Sequence, residues 1–322
     1  MTFPARVALG VLTAAALAQN GDIFQRVRRA LSPYGQDELA SEALTKKDYR
    51  QVEEILTASK PSNQAARAEL LSLLGAVQFL DRKFEAAASS YREAAKLAPL
   101  EDSDNFTLAM ALVDLGDDAH ARDVLAGLAA RYPDRPIYLY WLGRIDYDQR
   151  RYEEAIAKLT KVTELAPQSV RAWDSLGLAF DMQGRTDQAR SAFEKAVSLN
   201  RNQANPSPWP PHNLGYLLLR TNEPTEAETV LRESIRYDPK LAQTHYYLGR
   251  VLEKQDSATE AIHEYLNAIS LDTASPDACY SLARLYRKLH REPEAAAMFS
   301  EYKKRKQAVA TLDLESPASA ME

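Results

Sequence analysis

Apolar residues recur at helical spacing along most of the chain, in short segments separated by turns. Within residues 170–200, Trp173 and Leu176 mark one helix face, and Phe193 marks a second face further along. Gly184 lies between the two faces, and glycine commonly ends a helix because it tolerates a positive φ. The pattern therefore predicts two amphipathic helices joined by a short turn.

This two-helix pattern returns with a period of 34 residues. Small residues, glycines and prolines keep the period independently of one another, so chance is a poor explanation. The insertion 204–207 interrupts it once. The periodic positions are Ala87, Ala121, Ala155, Ala189, Ala227, Ala261 and Ala295, with Pro99, Pro133, Pro167, Gly143, Gly177, Gly215 and Gly249.

The unit resembles the tetratricopeptide repeat (TPR) of bacterial exported proteins, with Leu176-Gly177, Ala189 and Phe193 at family positions. Gly177 and Ala189 are small enough to let two helix backbones approach closely. The resemblance implies an all-α fold, a right-handed α-solenoid of about eight helix-turn-helix units. We place the units at about 33–67, 68–101, 102–135, 136–169, 170–203, 208–241, 242–275 and 276–309.

The N-terminus has a different composition. Residues 7–17 form an apolar run preceded by Arg6 and followed by small residues, which is the layout of a signal peptide over residues 1–18 cleaved between Ala18 and Gln19. We therefore expect a periplasmic or secreted protein; the alternative is a cytoplasmic module with an uncleaved N-terminus. Residues 19–32 are a lead segment before the repeats.

Two further segments fall outside the regular units. The stretch "RNQANPSPWPPHNLG" contains four prolines and Trp209, so we expect a stiff extended loop there, either a long turn or a binding element. After the basic "KKRK" run, residues 310–322 are expected to be a disordered tail.

Charge and chemistry exclude several classes of function. The formal net charge of −5 gives no overall basic surface for nucleic acid. The first apolar run is too short to span a membrane comfortably, and no other run is long enough. The single cysteine, Cys279, excludes a cysteine-based metal cluster. The five histidines form no metal-ligand spacing, and phosphate, dinucleotide and hydrolase motifs are absent. We therefore expect no enzyme activity, catalytic residue, metal site or cofactor.

The resemblance also implies that the first helix of each unit lines an inner groove. Tyr-then-Arg pairs recur there at a spacing of four residues, so each pair lies on one helix face. Tyrosine and arginine are enriched at interface hot spots, although stacking on each other and pairing with neighbouring acids would explain them equally well. The predicted partner-binding residues are Tyr140, Arg144, Tyr147, Tyr246, Arg250, Tyr280, Arg284 and Arg287, with a secondary apolar surface at Phe79, Phe106 and Met110.

These residues predict a non-catalytic scaffold that binds an extended protein or peptide segment, acidic or carboxylate-bearing. The resemblance implies a role in envelope assembly or export. A carbohydrate-handling or catalytic protein is the other alternative. Cochaperones of this family bind the Hsp70 or Hsp90 tail with an asparagine directly after the small residue equivalent to Gly177, and no unit has an asparagine there. An Hsp70 or Hsp90 tail clamp is therefore not expected.

Overall fold

A computed structural model describes residues 22–315, and this part of the chain is helical with no strand. The predicted all-α fold is confirmed. The chain divides into two compact units, with the boundary between Arg151 and Tyr152. This boundary falls between the two helices of the predicted repeat 136–169.

Unit 1 contains eight helices within the described residues, and consecutive helices pack against each other. A 3-10 turn, Ser32–Tyr34, follows the first helix. The helices are α1 (Asp22–Leu31), α2 (Asp37–Thr45), α3 (Tyr49–Ala58), α4 (Gln64–Leu80), α5 (Phe84–Leu97), α6 (Asp102–Leu115), α7 (Asp118–Arg131) and α8 (Pro136–Asp148).

Unit 2 continues the same arrangement with nine helices in its described part. These are α9 (Tyr152–Leu165), α10 (Val170–Met182), α11 (Thr186–Asn200), α12 (Trp209–Arg220), α13 (Pro224–Tyr237), α14 (Ala242–Lys254), α15 (Ala258–Leu271), α16 (Asp277–Lys288) and α17 (Glu292–Glu315).

The first helices of successive pairs also touch one another. In unit 1, α4 contacts α6; in unit 2, α10 contacts α12, α12 contacts α14, and α14 contacts α16. We call the surface that these neighbouring first helices form within each unit its first-helix face.

The helices of a pair approach closely where the sequence predicts small residues. A Cβ atom placed on Gly177 would lie 2.5 Å from Cδ1 of Phe193, which is closer than two carbon atoms tolerate. Ala189 and Phe193 are both buried at this crossing. The periodic glycine is therefore required by the distance between α10 and α11.

The turn inside each helix pair uses one left-handed residue, whatever its side chain. Gly116 and Gly184 have φ of 77° and 71°. Residues with side chains adopt the same conformation at the equivalent turns, namely Lys47, Arg82, Arg150, Asn222, Asp256 and His290, with φ between 56° and 64°. The repeat geometry imposes this conformation even where it is unfavourable for an L-residue.

Two expectations about irregular segments need correction, and the structure adds a helix in the lead segment. Helix α12 begins at Trp209 inside the proline-rich stretch, because the first helical turn tolerates proline. Helix α17 continues to Glu315 rather than ending near residue 310, and no proline lies between its first turn and Pro317 to stop it. The lead segment forms helix α1. The predicted signal peptide and residues 316–322 lie outside the described residues. Among the helices of residues 22–315, none is long and apolar enough to cross a membrane.

Candidate functional site

The predicted partner-binding residues are divided between the two units. Tyr140, Arg144 and Tyr147 lie on α8 in unit 1. The other five lie on α14 and α16, which are neighbouring first helices of unit 2. The structure therefore places most of the predicted surface on the first-helix face of unit 2.

On α8, the arginine is largely covered by its neighbours. The Arg144 guanidinium lies 5.5 Å from the centre of the Tyr147 ring and 3.9 Å from Asp148, and its side chain is 11% exposed. Tyr140 packs edge-on against the buried Trp141, with ring centres 5.4 Å apart. The three predicted residues of α8 therefore contact neighbouring side chains of their own helix.

The secondary apolar surface is mostly part of the core. Phe79 is 2% exposed and Met110 is 1% exposed, so neither side chain is available to a partner in this conformation. Phe79 packs edge-on against Phe84, and the half-buried Phe106 packs edge-on against Tyr138, each with ring centres 5.5 Å apart.

On α14, Tyr246 and Arg250 lie over an aromatic base. The Arg250 guanidinium is 5.8 Å from the Tyr246 ring centre, and Tyr246 in turn contacts Tyr247 and Tyr265 at 5.5 and 6.1 Å. The Tyr265 hydroxyl donates a hydrogen bond of 2.9 Å to Glu253, the acidic neighbour on this helix. Arg250 itself remains exposed.

On α16, the predicted residues join aromatic side chains from α17. Tyr280 is 43% exposed and lies between Phe299 and Tyr302, at ring-centre distances of 6.1 and 5.1 Å. Arg287 lies over Phe299 at 4.6 Å. Sequence reasoning missed Phe299 and Tyr302, because second-helix positions in this family are ordinarily packing positions.

Within residues 22–315, three arginines of this surface have no carboxylate partner. Across residues 22–315, no hydrogen bond or ion pair joins Arg250, Arg284 or Arg287 to an acidic side chain, and all three are exposed. Other arginines of unit 2 are paired: Arg201 binds the buried Glu233 at 2.6 Å, and Arg220 binds Asp181 at 2.7 Å. The three guanidinium groups are therefore not held by a direct carboxylate contact within the described chain.

A second aromatic cluster supports the same face, and sequence reasoning did not single it out. Tyr216 of α12 stacks on Tyr247 of α14, with ring centres 4.7 Å apart. His212 lies between Trp209 and Tyr247, and its Nδ1 is 2.8 Å from the Thr244 hydroxyl. The spacing of Trp209, His212 and Tyr216 along one helix is the signal that could have identified it.

Burial changes the titration of this cluster. It lowers the pKa of His212 to about 4, so the imidazole is neutral at physiological pH. Burial also raises the pKa of Tyr247 to about 12, with a smaller contribution from Tyr216. Both side chains are thus uncharged structural supports.

The neighbouring pair of His245 and Glu264 differs from this cluster, because the pKa of its histidine is raised. Burial alone would lower the pKa of His245, but hydrogen bonds to Glu264, at 2.6 Å, and to the Pro239 carbonyl, at 3.0 Å, raise it overall. Both ring nitrogens meet acceptors, so the charged imidazolium fits this position.

The arrangement of paired helices defines a class of helical-repeat proteins. The tetratricopeptide repeat model matches residues 106–170, 143–206 and 212–278, which together make up more than half of the chain. The chain belongs to the tetratricopeptide repeat family, whose fold is generally a non-catalytic scaffold for protein–protein interaction.

Comparison with known proteins shows several similar chains. The human protein O-mannosyl-transferase TMTC3 is 26% identical over 160 residues, covering 46% of this chain but only 17% of the relative's length. A solved repeat protein from Parabacteroides merdae has a TM-score of 0.61 and 20% identity, covering 81% of this chain and 98% of that one. PilF of Pseudomonas aeruginosa has a TM-score of 0.56 and 22% identity, covering 67% and 96%. At these identities, the solved structures show the fold alone.

Proposed function

We propose that the chain is a non-catalytic scaffold whose unit 2 binds an extended acidic segment of a partner protein. The site is the aromatic–arginine surface, which we define as Tyr246, Arg250, Tyr280, Arg284 and Arg287. The observation that carries the proposal is the exposure of three arginines without a carboxylate partner in the described chain.

The chemistry of these side chains suits such a ligand. A guanidinium presents a planar fork that binds a carboxylate through two hydrogen bonds. Tyr246 and Tyr280 offer flat apolar surfaces with a hydroxyl at the edge, which suits apolar groups between the acidic ones. Because the tyrosines rest on other aromatic rings, little side-chain freedom is lost on binding.

The three predicted residues of α8 are not part of the proposed site for the acidic segment. Arg144 already faces Tyr147 and Asp148, so a ligand would have to displace these contacts. We therefore assign the acidic segment to unit 2, and we retain Tyr140, Arg144 and Tyr147 as a predicted contact surface of unit 1.

A direct binding measurement tests the site. The probe is a fluorescein-labelled peptide of ten residues that alternates glutamate and leucine, compared with a peptide that has lysine in place of glutamate. We expect the acidic peptide to bind the full chain and the lysine peptide not to bind. The double variant Arg250→Glu, Arg284→Glu should bind the acidic peptide at least roughly tenfold more weakly, since each lost charged hydrogen bond is worth about 1.5–3 kcal/mol.

A matched control separates the site from overall charge. Lys195→Glu with Lys240→Glu makes the same change in net charge on exposed residues outside the aromatic–arginine surface. This variant should bind the acidic peptide like the parent chain. Equal weakening in both double variants would show a general charge effect and overturn the proposed site.

We also propose that the protein works in the cell envelope, in assembly or export. The pattern of residues 1–18 supports export, and a similar fold occurs in PilF, a type IV pilus assembly protein. Mass spectrometry of the mature N-terminus tests this: Gln19 as first residue supports export, whereas Met1 or Thr2 favours the cytoplasmic alternative.

A further inference from the structure

In two repeat units of unit 2, the fourth residue is bound to the turn that precedes its helix. The indole N–H of Trp173, in the unit 170–203, donates a hydrogen bond of 3.0 Å to the Pro167 carbonyl. In the unit 242–275, Nε2 of His245 lies 3.0 Å from the Pro239 carbonyl, which is again six residues earlier. The two contacts differ in one respect: an indole N–H is a permanent donor, whereas an imidazole titrates near neutral pH.

The second ring nitrogen of His245 meets another acceptor. Its Nδ1 lies 2.6 Å from Oε2 of Glu264 on α15, and the two side chains are 8% and 13% exposed. Burial alone would raise the pKa of Glu264, but hydrogen bonds to His245 and His263 lower it overall, so this carboxylate is charged at neutral pH. His245 therefore lies between a carbonyl and a carboxylate, which only accept hydrogen bonds.

Only the imidazolium form of His245 satisfies both acceptors. It carries a proton on each nitrogen, whereas the neutral ring has a single N–H. Because a hydrogen bond to a carboxylate is stronger than one to a carbonyl, the remaining proton stays on Nδ1 and faces Glu264. Nε2 then presents a lone pair to the Pro239 oxygen. Deprotonation thus breaks the contact with the turn and keeps the contact with α15.

The surroundings of His245 favour its protonated form. Burial alone would lower its pKa, but the hydrogen bonds to Glu264 and to the Pro239 carbonyl, with the charges of Glu264 and Asp238, raise it above the ordinary value of 6.5. The stabilisation that protonated His245 provides is therefore complete below pH 6.5 and is lost as the pH rises through the raised pKa.

Other charged side chains also face this pair. Arg232 and Arg236 of α13 line a surface cavity together with Glu264, and their charges act against the imidazolium. His263 of α15 is exposed, and its Nδ1 lies 3.4 Å from the second oxygen of Glu264. Within residues 22–315, no charged side chain of α12 or α16 pairs with His245 or Glu264. The carboxylate in direct contact with the imidazole therefore dominates.

We propose that His245 is a pH-sensitive latch, which binds the turn 238–241 to α14 and α15 when protonated and releases this turn when it loses its proton. Tyr246 follows His245 in α14, so the released turn adjoins the aromatic–arginine surface. The latch does not depend on what binds to that surface. The turn before α10, held by the indole of Trp173, keeps its contact over the same pH range.

An NMR titration of the full chain tests the protonation step. Chemical shifts of the two imidazole nitrogens report both the pKa and the tautomer, and the His245 signals are assigned by their loss in a His245→Trp variant. We expect a pKa above about 6.5 and, at high pH, a neutral ring with its proton on Nδ1. A neutral ring protonated on Nε2 would keep the Pro239 contact and overturn the proposal.

Hydrogen exchange of backbone amides tests the release of the turn. The Leu241 and Thr244 amides donate to the Asp238 and Leu241 carbonyls, at 3.4 and 3.0 Å. Between about pH 6 and about pH 9, their protection, corrected for the intrinsic exchange rate, should fall roughly tenfold with the midpoint of the His245 titration, since one hydrogen bond is lost. The Trp173 amide, in the equivalent turn, should keep its protection.

Two variants separate the latch from a general effect of high pH. His245→Trp with Glu264→Ala copies the pair Trp173 and Ala192 of the unit 170–203, so its turn should stay protected at about pH 9. Glu264→Gln keeps the shape of the side chain, and its amide can donate to Nδ1, which leaves the last proton on Nε2 for the Pro239 carbonyl. In this variant the His245 pKa should fall by at least about one unit, and the turn should also stay protected.

The outcomes decide between the latch and a passive histidine. If His245 titrates while the turn keeps its protection in the parent chain, deprotonation releases nothing and the proposal fails. A loss of protection in Glu264→Gln as large as in the parent would also overturn it, because the release would then not depend on the carboxylate. Circular dichroism checks that both variants fold, and if the double variant does not, Glu264→Gln decides the question.

Discussion

The first-helix faces of the two units put the same repeat to different uses. In unit 1, α1 covers the face and its arginine is buried against Asp104. In unit 2, Arg250, Arg284 and Arg287 are exposed and bind no carboxylate in the described chain. The comparison shows that the periodic small residues fix the helix packing, whereas the face positions between them are free to acquire different chemistry.

The largest expected difference between the two faces concerns stability. Asp104→Asn should lower the free energy of unfolding by about 3–5 kcal/mol, because it leaves the buried charge of Arg26 without its partner. Arg284→Gln on the first-helix face of unit 2 should change the free energy of unfolding by less than about 0.5 kcal/mol. Urea unfolding followed by circular dichroism measures both.

A double variant shows whether the pair acts through charge. Asp104→Leu combined with Arg26→Met should be less destabilised than Asp104→Asn alone, since no buried charge remains. A loss for Arg284→Gln as large as that for Asp104→Asn would mean that the two faces do not differ as described.

A smaller effect concerns the support beneath the face of unit 2. The folded state lowers the pKa of His212 from 6.5 to about 4, so it disfavours the protonated imidazole. The stabilisation is therefore complete above pH 6.5 and is lost as the pH falls towards 4, by about 3 kcal/mol in total. Unfolding should be measured at pH 7.5 and pH 4 for the parent and for His212→Gln.

The His212→Gln variant keeps a hydrogen-bonding group beside Thr244 but does not titrate there. Between pH 7.5 and pH 4, the free energy of unfolding of this variant should fall less than that of the parent. Protonation of the carboxylates over the same interval lowers the stability of both chains equally. Parallel losses would show that protonation of His212 does not contribute.

The periodic residues made the repeat core predictable. Gly177, Ala189 and Phe193 meet as their spacing indicates, because a close helix crossing requires small residues at fixed positions. The turn at Gly184 also has the positive φ expected of a glycine after a helix. Local spacing is sufficient for such features, and the family and the all-α class followed from it.

The side chains exposed or buried on the two first-helix faces were less predictable. Arg26 and Asp104 are 78 residues apart, and residues 22–31 lie outside the period, so no pattern joined them. Phe79 and Met110 fell on face positions by their register, but burial depends on which elements pack there. That Arg284 binds no carboxylate in the described chain likewise depends on tertiary contacts, which spacing does not report.

The smallest predicted effect compares the same turn in both units. Arg82 in unit 1 and His290 in unit 2 are exposed and have φ of 62° and 56°. A left-handed L-residue costs roughly 1–2 kcal/mol, and glycine loses about 0.5–1 kcal/mol more backbone entropy on folding. Arg82→Gly and His290→Gly should therefore each raise the free energy of unfolding by about 0.5 kcal/mol. The measurement is a shift of the urea midpoint at unchanged slope. The opposite substitution, Gly184→Ala, should lower the free energy of unfolding by a similar amount. Because the two turns have the same backbone conformation, the two gains should be equal; a gain in one unit alone would mean that the difference between the faces extends into the repeat framework.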